Sequence, residues 1–375
     1  MQNHSKNLEI LLFIYIFMLD TFLYGFALFA IISLMIHIIG TIADGAFMEW
    51  TEYFKKKWKL SNFVAGETIQ ALGTSAPEIS ISIIGLYILG ENPALGMATI
   101  IGSAVFQITI VIGVPILLAE KSAKLDPKGL LRTASVYGGS VVLLWLFVQT
   151  GNALVWWELL ILAIYHIAYI YFLLSNKPEG ESEDDTPEHD DEKIENETLL
   201  LRLLDKFLNL IPSPKDKWGV VNGVPVGFII TLLAIGVSSY IFVDMSVSFA
   251  ELIGISSTLI ALTVLAGGSS MPELFSNIPL AKKGNIDQAI GNAFGSNTLD
   301  ICISFALMSV PYTLMTGSIS GPELESMMTP ILFLFGYLFL VLLIFAIEKF
   351  ETRKWQGWVL ISLFIAFVIV NAYIV

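Results

Sequence analysis

The chain has a single cysteine, Cys302, among 375 residues. One thiol excludes internal disulfides and any cysteine-rich metal centre. Histidine is nearly as scarce, at four, and charged residues make up 14% against 55% hydrophobic. That is too little charge to solvate an ordinary soluble domain of this length. There is no Gly-x-x-x-x-Gly-Lys-[Ser/Thr] phosphate loop and no soluble stretch large enough for nucleotide hydrolysis, so any transport must run on an ion gradient. His-Glu-x-x-His is also missing, which argues against a hydrolase working within the membrane. The net charge of −13 is misleading, because eleven acids fall between Glu179 and Glu197. The acidity belongs to one loop.

What the chain has in abundance is long apolar runs. A bilayer-spanning helix needs roughly 20 mostly apolar residues. On that basis the sequence predicts ten spans, near 22–47, 62–89, 94–119, 130–149, 153–174, 224–250, 254–281, 286–311, 327–347 and 356–374. Leu8 to Leu19 lacks the flanks of a signal peptide and reads as an extension of the first helix. Lys and Arg in short loops collect on the cytoplasmic side. With ten spans, nineteen of twenty basic residues fall in loops 1–2, 3–4, 5–6, 7–8 and 9–10, and only Lys6 falls on the other face. This count predicts a multi-pass cell-membrane protein with both termini outside and the central loop cytoplasmic.

Two short segments recur. Leu72-Gly-Thr-Ser-Ala-Pro-Glu78 matches Gly267-Gly-Ser-Ser-Met-Pro-Glu273, and Gly102-Ser-Ala-Val-Phe-Gln107 matches Gly295-Ser-Asn-Thr-Leu-Asp300. The first half starts outside and the second inside, so the copies cross the membrane in opposite directions. The fold expected is all-α, ten transmembrane helices in two inverted-topology repeats of five. Residues 1–174 form the first repeat, with its motifs in 66–113. Residues 224–375 form the second, with motifs in 258–304. Between them, 175–223 reads as a disordered acidic tract followed by an amphipathic helix at Leu199–Ile211.

Glycine, proline and carboxylate at membrane depth are tolerated mainly where they line an enclosed polar site. In the first copy Ala71 offers a carbonyl, Thr74 and Ser75 hydroxyls, and Glu78 a charge. Ala266, Ser269, Ser270 and Glu273 repeat that set, while Ser103 with Gln107 and Ser296 with Asp300 each share a helix face. Every ligand is oxygen. Such a set suits hard cations such as Ca²⁺ and Na⁺ rather than zinc or copper. Up to three carboxylates in one low-dielectric pocket must hold cations or protons. Competition between ions for them is the physical content of antiport. A passive channel would need a continuous water path, usually built from oligomeric rings.

These motifs resemble the alpha repeats of the cation/calcium exchanger superfamily. The resemblance implies a sodium/calcium antiporter rather than an enzyme, with ions held between spans 2, 3, 7 and 8 and spans 1 and 6 sliding to alternate access. It places Glu78 and Glu273 at calcium-ligating positions, Thr74, Ser75, Ser103, Ser269, Ser270 and Ser296 at sodium-binding hydroxyl positions, and Ala71 and Ala266 at carbonyl positions. Gln107 departs from the usual Asn or Asp, and Ala98-Thr99 stands where the second repeat keeps Gly291-Asn292. Asp300 matches an acidic position of potassium-dependent members, which keeps K⁺ co-transport as an alternative; H⁺/Ca²⁺ exchange, the other alternative, would lean on protonatable carboxylates without the sodium-type hydroxyls, and the Thr and Ser set argues against it. The expected partners are Ca²⁺, Na⁺ and the bilayer, with no cofactor, nucleotide or nucleic acid.

The other polar residues in apolar runs have plainer expectations. Glu67 reads as a solvated acid near a helix N-terminus, with the cytoplasmic entrance as its alternative, and Gln70 is similar. Asp244 reads as reaching headgroups, and His37 and His166 as satisfied interfacial groups. Trp145, Trp156, Trp157, Trp355 and Trp358 fit an aromatic belt.

Overall fold

The computed structural model describes residues 2–58, 67–68, 71–90, 93–151, 153–175, 206, 208, 210–216, 218–221, 223–282, 284, 286–321, 324–325 and 327–374. Gln70, the acidic run and most of the leucine-rich stretch lie outside the described residues. Among those described, nine helices are long and apolar enough to cross a bilayer. They are span 1 (Thr21–Phe47), span 3 (Pro93–Leu118), span 4 (Pro127–Gln149), span 5 (Trp156–Ser175) and span 6 (Val226–Ile253), then span 7 (Thr258–Lys282), span 8 (Ile286–Thr316), span 9 (Met328–Ile347) and span 10 (Lys354–Tyr373). Span 2 completes the ten and is described as Ala71–Thr74 and Ala76–Tyr87. A helix runs unbroken from Gln2 to Ile42, so Leu8–Leu19 extends span 1 as the sequence predicts.

Helix packing carries the inverted repeat. Span 3 packs against spans 2, 7, 9 and 10, and span 8 packs against their counterparts, spans 7, 2, 4 and 5. Spans 1 and 6, which correspond to each other, form an extensive contact. The loops sort to two ends in the alternation that ten crossings demand. At one end, loop 3–4 meets the first turn of span 8 and loop 9–10, where the Asp126 amide donates to Asp287 at 3.0 Å and the Ala123 amide to Thr352 at 2.9 Å. At the other end, loops 4–5 and 8–9 pair as a two-stranded ribbon, Ala153 opposite Ser320 and Leu154 opposite Ile319.

The polarity of the bundle is inside-out. Phe22, Phe26, Ile164, Ile167, Phe339 and Ile369 are exposed on the flanks, while Thr74, Ser75, Ser103, Asn277 and Ser296 are buried. Lipid supplies no hydrophobic drive between helices, so close backbone approach and internal hydrogen bonds hold such a bundle together. Gly73 and Gly268 make this concrete. A methyl group on Gly73 would overlap the Phe47 ring of span 1, and one on Gly268 would overlap the Phe242 ring of span 6. These two Phe–Gly seats are related by the same 195 positions that separate Glu78 from Glu273.

Two expectations about isolated polar residues are corrected. Glu67 is 1% exposed rather than solvated, because spans 4, 5 and 8 enclose it. His166 is buried, and its Nδ1 has no hydrogen-bond partner, so it is not a satisfied interfacial group. Trp156, Trp157, Trp355 and Trp358 stand exposed at span ends. Trp145 instead packs edge-on against Phe335, with centroids 6.3 Å apart.

Candidate cation site

Span 2 breaks where the doubled motif predicts. Helix Ala71–Thr74 gives way to a turn at Ser75 and resumes as Ala76–Tyr87, and span 7 repeats this with Ala266–Ser269, a turn at Ser270 and Met271–Lys282. Pro77 and Pro272 have no N–H, so the carbonyls of Gly73 and Gly268 four residues earlier lose their usual helical donors. Ala71 and Ala266 carbonyls stay in the helical ladder, accepting from the Ser75 amide at 2.9 Å and the Ser270 amide at 3.3 Å. Each also faces the hydroxyl three residues on, Thr74 at 3.5 Å and Ser269 at 3.1 Å.

Spans 3 and 8 carry a matching irregularity. The helix widens to a π-turn at Gln107–Val111 in span 3 and at Asp300–Ser304 in span 8, so Gln107 and Asp300 each open one. Such turns concentrate at functional sites because the extra residue re-aims a side chain. No residue type marks them in sequence.

The four helices bring the predicted side chains together. Glu78, Glu273 and Asp300 are fully buried and near enough to act on one another's charge. Ser103 and Ser270 each donate to Glu78 Oε1 at 3.1 Å, their hydroxyls 2.7 Å apart, and the Gln107 amide donates to Ser103 at 3.2 Å. On the opposite side Thr74 and Ser296 hydroxyls lie 3.3 Å apart. Ser269 donates to the Ala266 carbonyl at 3.1 Å, and Ser304 donates to Asp300 Oδ1 at 2.9 Å. Ser75 is buried in the same region.

What remains unpaired defines the site's chemistry. Glu78 Oε2, both Glu273 carboxylate oxygens, Asp300 Oδ2 and Gln107 Oε1 are buried with no hydrogen-bond partner. Leaving such groups unmatched costs several kcal/mol apiece at low dielectric, roughly, so a cation is the natural complement. Among the described residues no three His, Cys, Asp or Glu side chains close on a single metal-sized point.

Several contributors escape the sequence reading. Ser304 supports Asp300 from one turn later, and Asn297 of span 8 donates to the Ala104 carbonyl of span 3 at 3.2 Å. Phe47 and Phe242 seat spans 1 and 6 on the motif glycines. Their shared offset was the signal available, but it is lost among 25 phenylalanines.

An inverted pair of broken helices around buried acceptor oxygens defines the protein as a polytopic membrane transporter. The chain belongs to the sodium/calcium exchanger protein family, whose model matches residues 26–175 and 223–373. It is similar to the sodium/calcium exchanger MaX1 of Methanosarcina acetivorans, at 27% identity over 88% of this chain and 94% of that one. It is also similar to the sodium/potassium/calcium exchanger 2 of Gallus gallus, at 23% identity over 90% of this chain and 77% of that one. A solved structure of the sodium-calcium exchanger NCX_Mj, soaked with sodium and strontium, shares the fold with a TM-score of 0.59 at 22% identity, covering 91% and 98% of the two chains.

Proposed function

We propose that this protein is a secondary antiporter that exchanges Na⁺ for Ca²⁺ by alternating access at the site between spans 2, 3, 7 and 8. The observation that carries the reading is the set of buried, unpaired oxygens on Glu78, Glu273, Asp300 and Gln107. Ca²⁺ takes 6–8 oxygen ligands at about 2.3–2.6 Å. Glu78 and Glu273, one from each repeat, supply the charge that offsets its dehydration. Sodium ions take the hydroxyls of Thr74, Ser75, Ser103, Ser269, Ser270 and Ser296 with the Ala71 and Ala266 carbonyls, and share the same carboxylates. Occupation by one ion type then discharges the other.

Spans 1 and 6 act as the moving pair, sliding over spans 2 and 7 at the Phe47–Gly73 and Phe242–Gly268 seats. The basic loops face the cytoplasm and both termini lie outside, following the charge asymmetry of the loops. Potassium co-transport is the second reading. It is favoured by Asp300, whose Oδ2 is an additional unpaired acceptor in the same cluster. Calcium uptake by sodium-loaded vesicles tests the main reading: uptake has to rise with the outward sodium gradient, and uptake that followed a pH gradient instead would replace sodium with protons.

A further inference from the structure

Glu67 takes no part in the cation site, yet it is buried and tied on both oxygens. Tyr169 of span 5 donates to its Oε2 at 2.5 Å, Thr133 of span 4 donates to its Oε1 at 2.7 Å, and the Arg132 guanidinium acts on its charge. Hydrogen bonds to a carboxylate are shorter and stronger than neutral ones, so this clamp is a firm one.

Repeat symmetry shows what Glu67 replaces. The 195-residue offset sets it opposite Leu262. Gly102 of span 3 lies against Leu262, where an added methyl would come 2.6 Å from the Leu262 carbonyl oxygen. Its counterpart Gly295 of span 8 lies against Glu67, with the same methyl 3.3 Å from the Glu67 Cα. One helix seat is thus filled by leucine in the second repeat and by a clamped carboxylate in the first. Gly295 immediately precedes Ser296, whose hydroxyl meets Thr74, and Thr74 lies seven positions after Glu67 within the span that the sequence predicts near 62–89.

We propose that Glu67 is a positioning residue for ion exchange: through Tyr169 and Thr133 it pins span 2 to spans 4 and 5 and so holds the Thr74–Ser296 edge of the cation site in register. The proposal rests on the exchange reading above. Leu262 holds the mirror-image seat by apolar contact, so the two edges of the site differ in stiffness.

The test uses full-length protein in sodium-loaded vesicles, comparing Glu67→Leu, Glu67→Gln and Tyr169→Phe with the parent. Glu67→Leu installs the second repeat's own residue and is expected to raise the sodium concentration for half-maximal calcium uptake about tenfold, the equivalent of one charge-assisted hydrogen bond. Tyr169→Phe, which removes one hydroxyl and keeps the packing, is expected to shift it in the same direction, and the double variant to add little to Glu67→Leu. Glu67→Gln keeps an acceptor for Tyr169, while Thr133 can turn to the Gly129 carbonyl it already reaches at 3.1 Å, so half-saturation returns to near the parent value. A merely structural role lowers the maximal rate and leaves half-saturation alone. Unchanged half-saturation in Glu67→Leu and Tyr169→Phe, or a Gln variant as impaired as Leu, overturns the proposal. A parent protein without sodium-driven uptake overturns the exchange reading itself, before any variant is compared.

Discussion

The two glutamates of the doubled motif are chemically alike and placed differently. Glu78 Oε1 already takes two serine hydroxyls, while both oxygens of Glu273 are unpaired. In the proposed exchange each supplies a charge that a divalent ion needs in a dry site. Glu78→Gln and Glu273→Gln are therefore each expected to lower calcium exchange about a hundredfold or more, with the protein still folded, as measured by ⁴⁵Ca²⁺ flux beside size-exclusion profiles. Near-normal flux in either variant would refute a shared site. Gln107 and Asp300 hold equivalent places with different charge, and the proposed exchange ties ion choice to this asymmetry. Asp300→Asn equalises them and is expected to remove potassium stimulation of uptake while sodium-driven exchange persists; retention of potassium dependence would place that ion elsewhere.

At the scale of elements, function depends on where helices break and how closely they approach. Gly73→Ala forces its methyl into the Phe47 ring, and overpacking of this kind costs about 1–3 kcal/mol. It is expected to lower the melting temperature in detergent and slow exchange, and Phe47→Leu on the same chain is expected to restore part of both. A glycine variant indistinguishable from the parent would show that the seat is looser than its geometry implies. The breaks at Ser75 and Ser270 were legible in sequence because proline and glycine have fixed effects on a helix and because the pattern occurs twice. The π-turns at Gln107 and Asp300 were not, since nothing in local composition distinguishes an i→i+5 bond from an i→i+4 bond. The environment of Glu67 was illegible for another reason. Its partners Thr133 and Tyr169 lie 66 and 102 positions away, and a lone acid near a predicted span end reads as solvated until those contacts are seen.

At the scale of the whole molecule, the ten crossings, the two loop ends and the pairing of repeat with repeat form one consistent arrangement. Cys302 is buried, which leaves the surface clear for introduced thiols. A membrane-impermeant maleimide applied to intact cells is expected to label Ser320→Cys in loop 8–9 and to spare Lys121→Cys in loop 3–4 until the membrane is opened. The reverse pattern would invert the orientation without disturbing the fold. The proposed exchange at one site between the two inverted halves predicts coupled fluxes, with neither ion moving freely in the absence of the other. The most direct measurement is ⁴⁵Ca²⁺ uptake by vesicles containing the purified protein and loaded with Na⁺. Uptake rising with the outward sodium gradient and collapsing when internal sodium is replaced by choline is the predicted result, whereas equal uptake with and without internal sodium would contradict sodium/calcium exchange at this site.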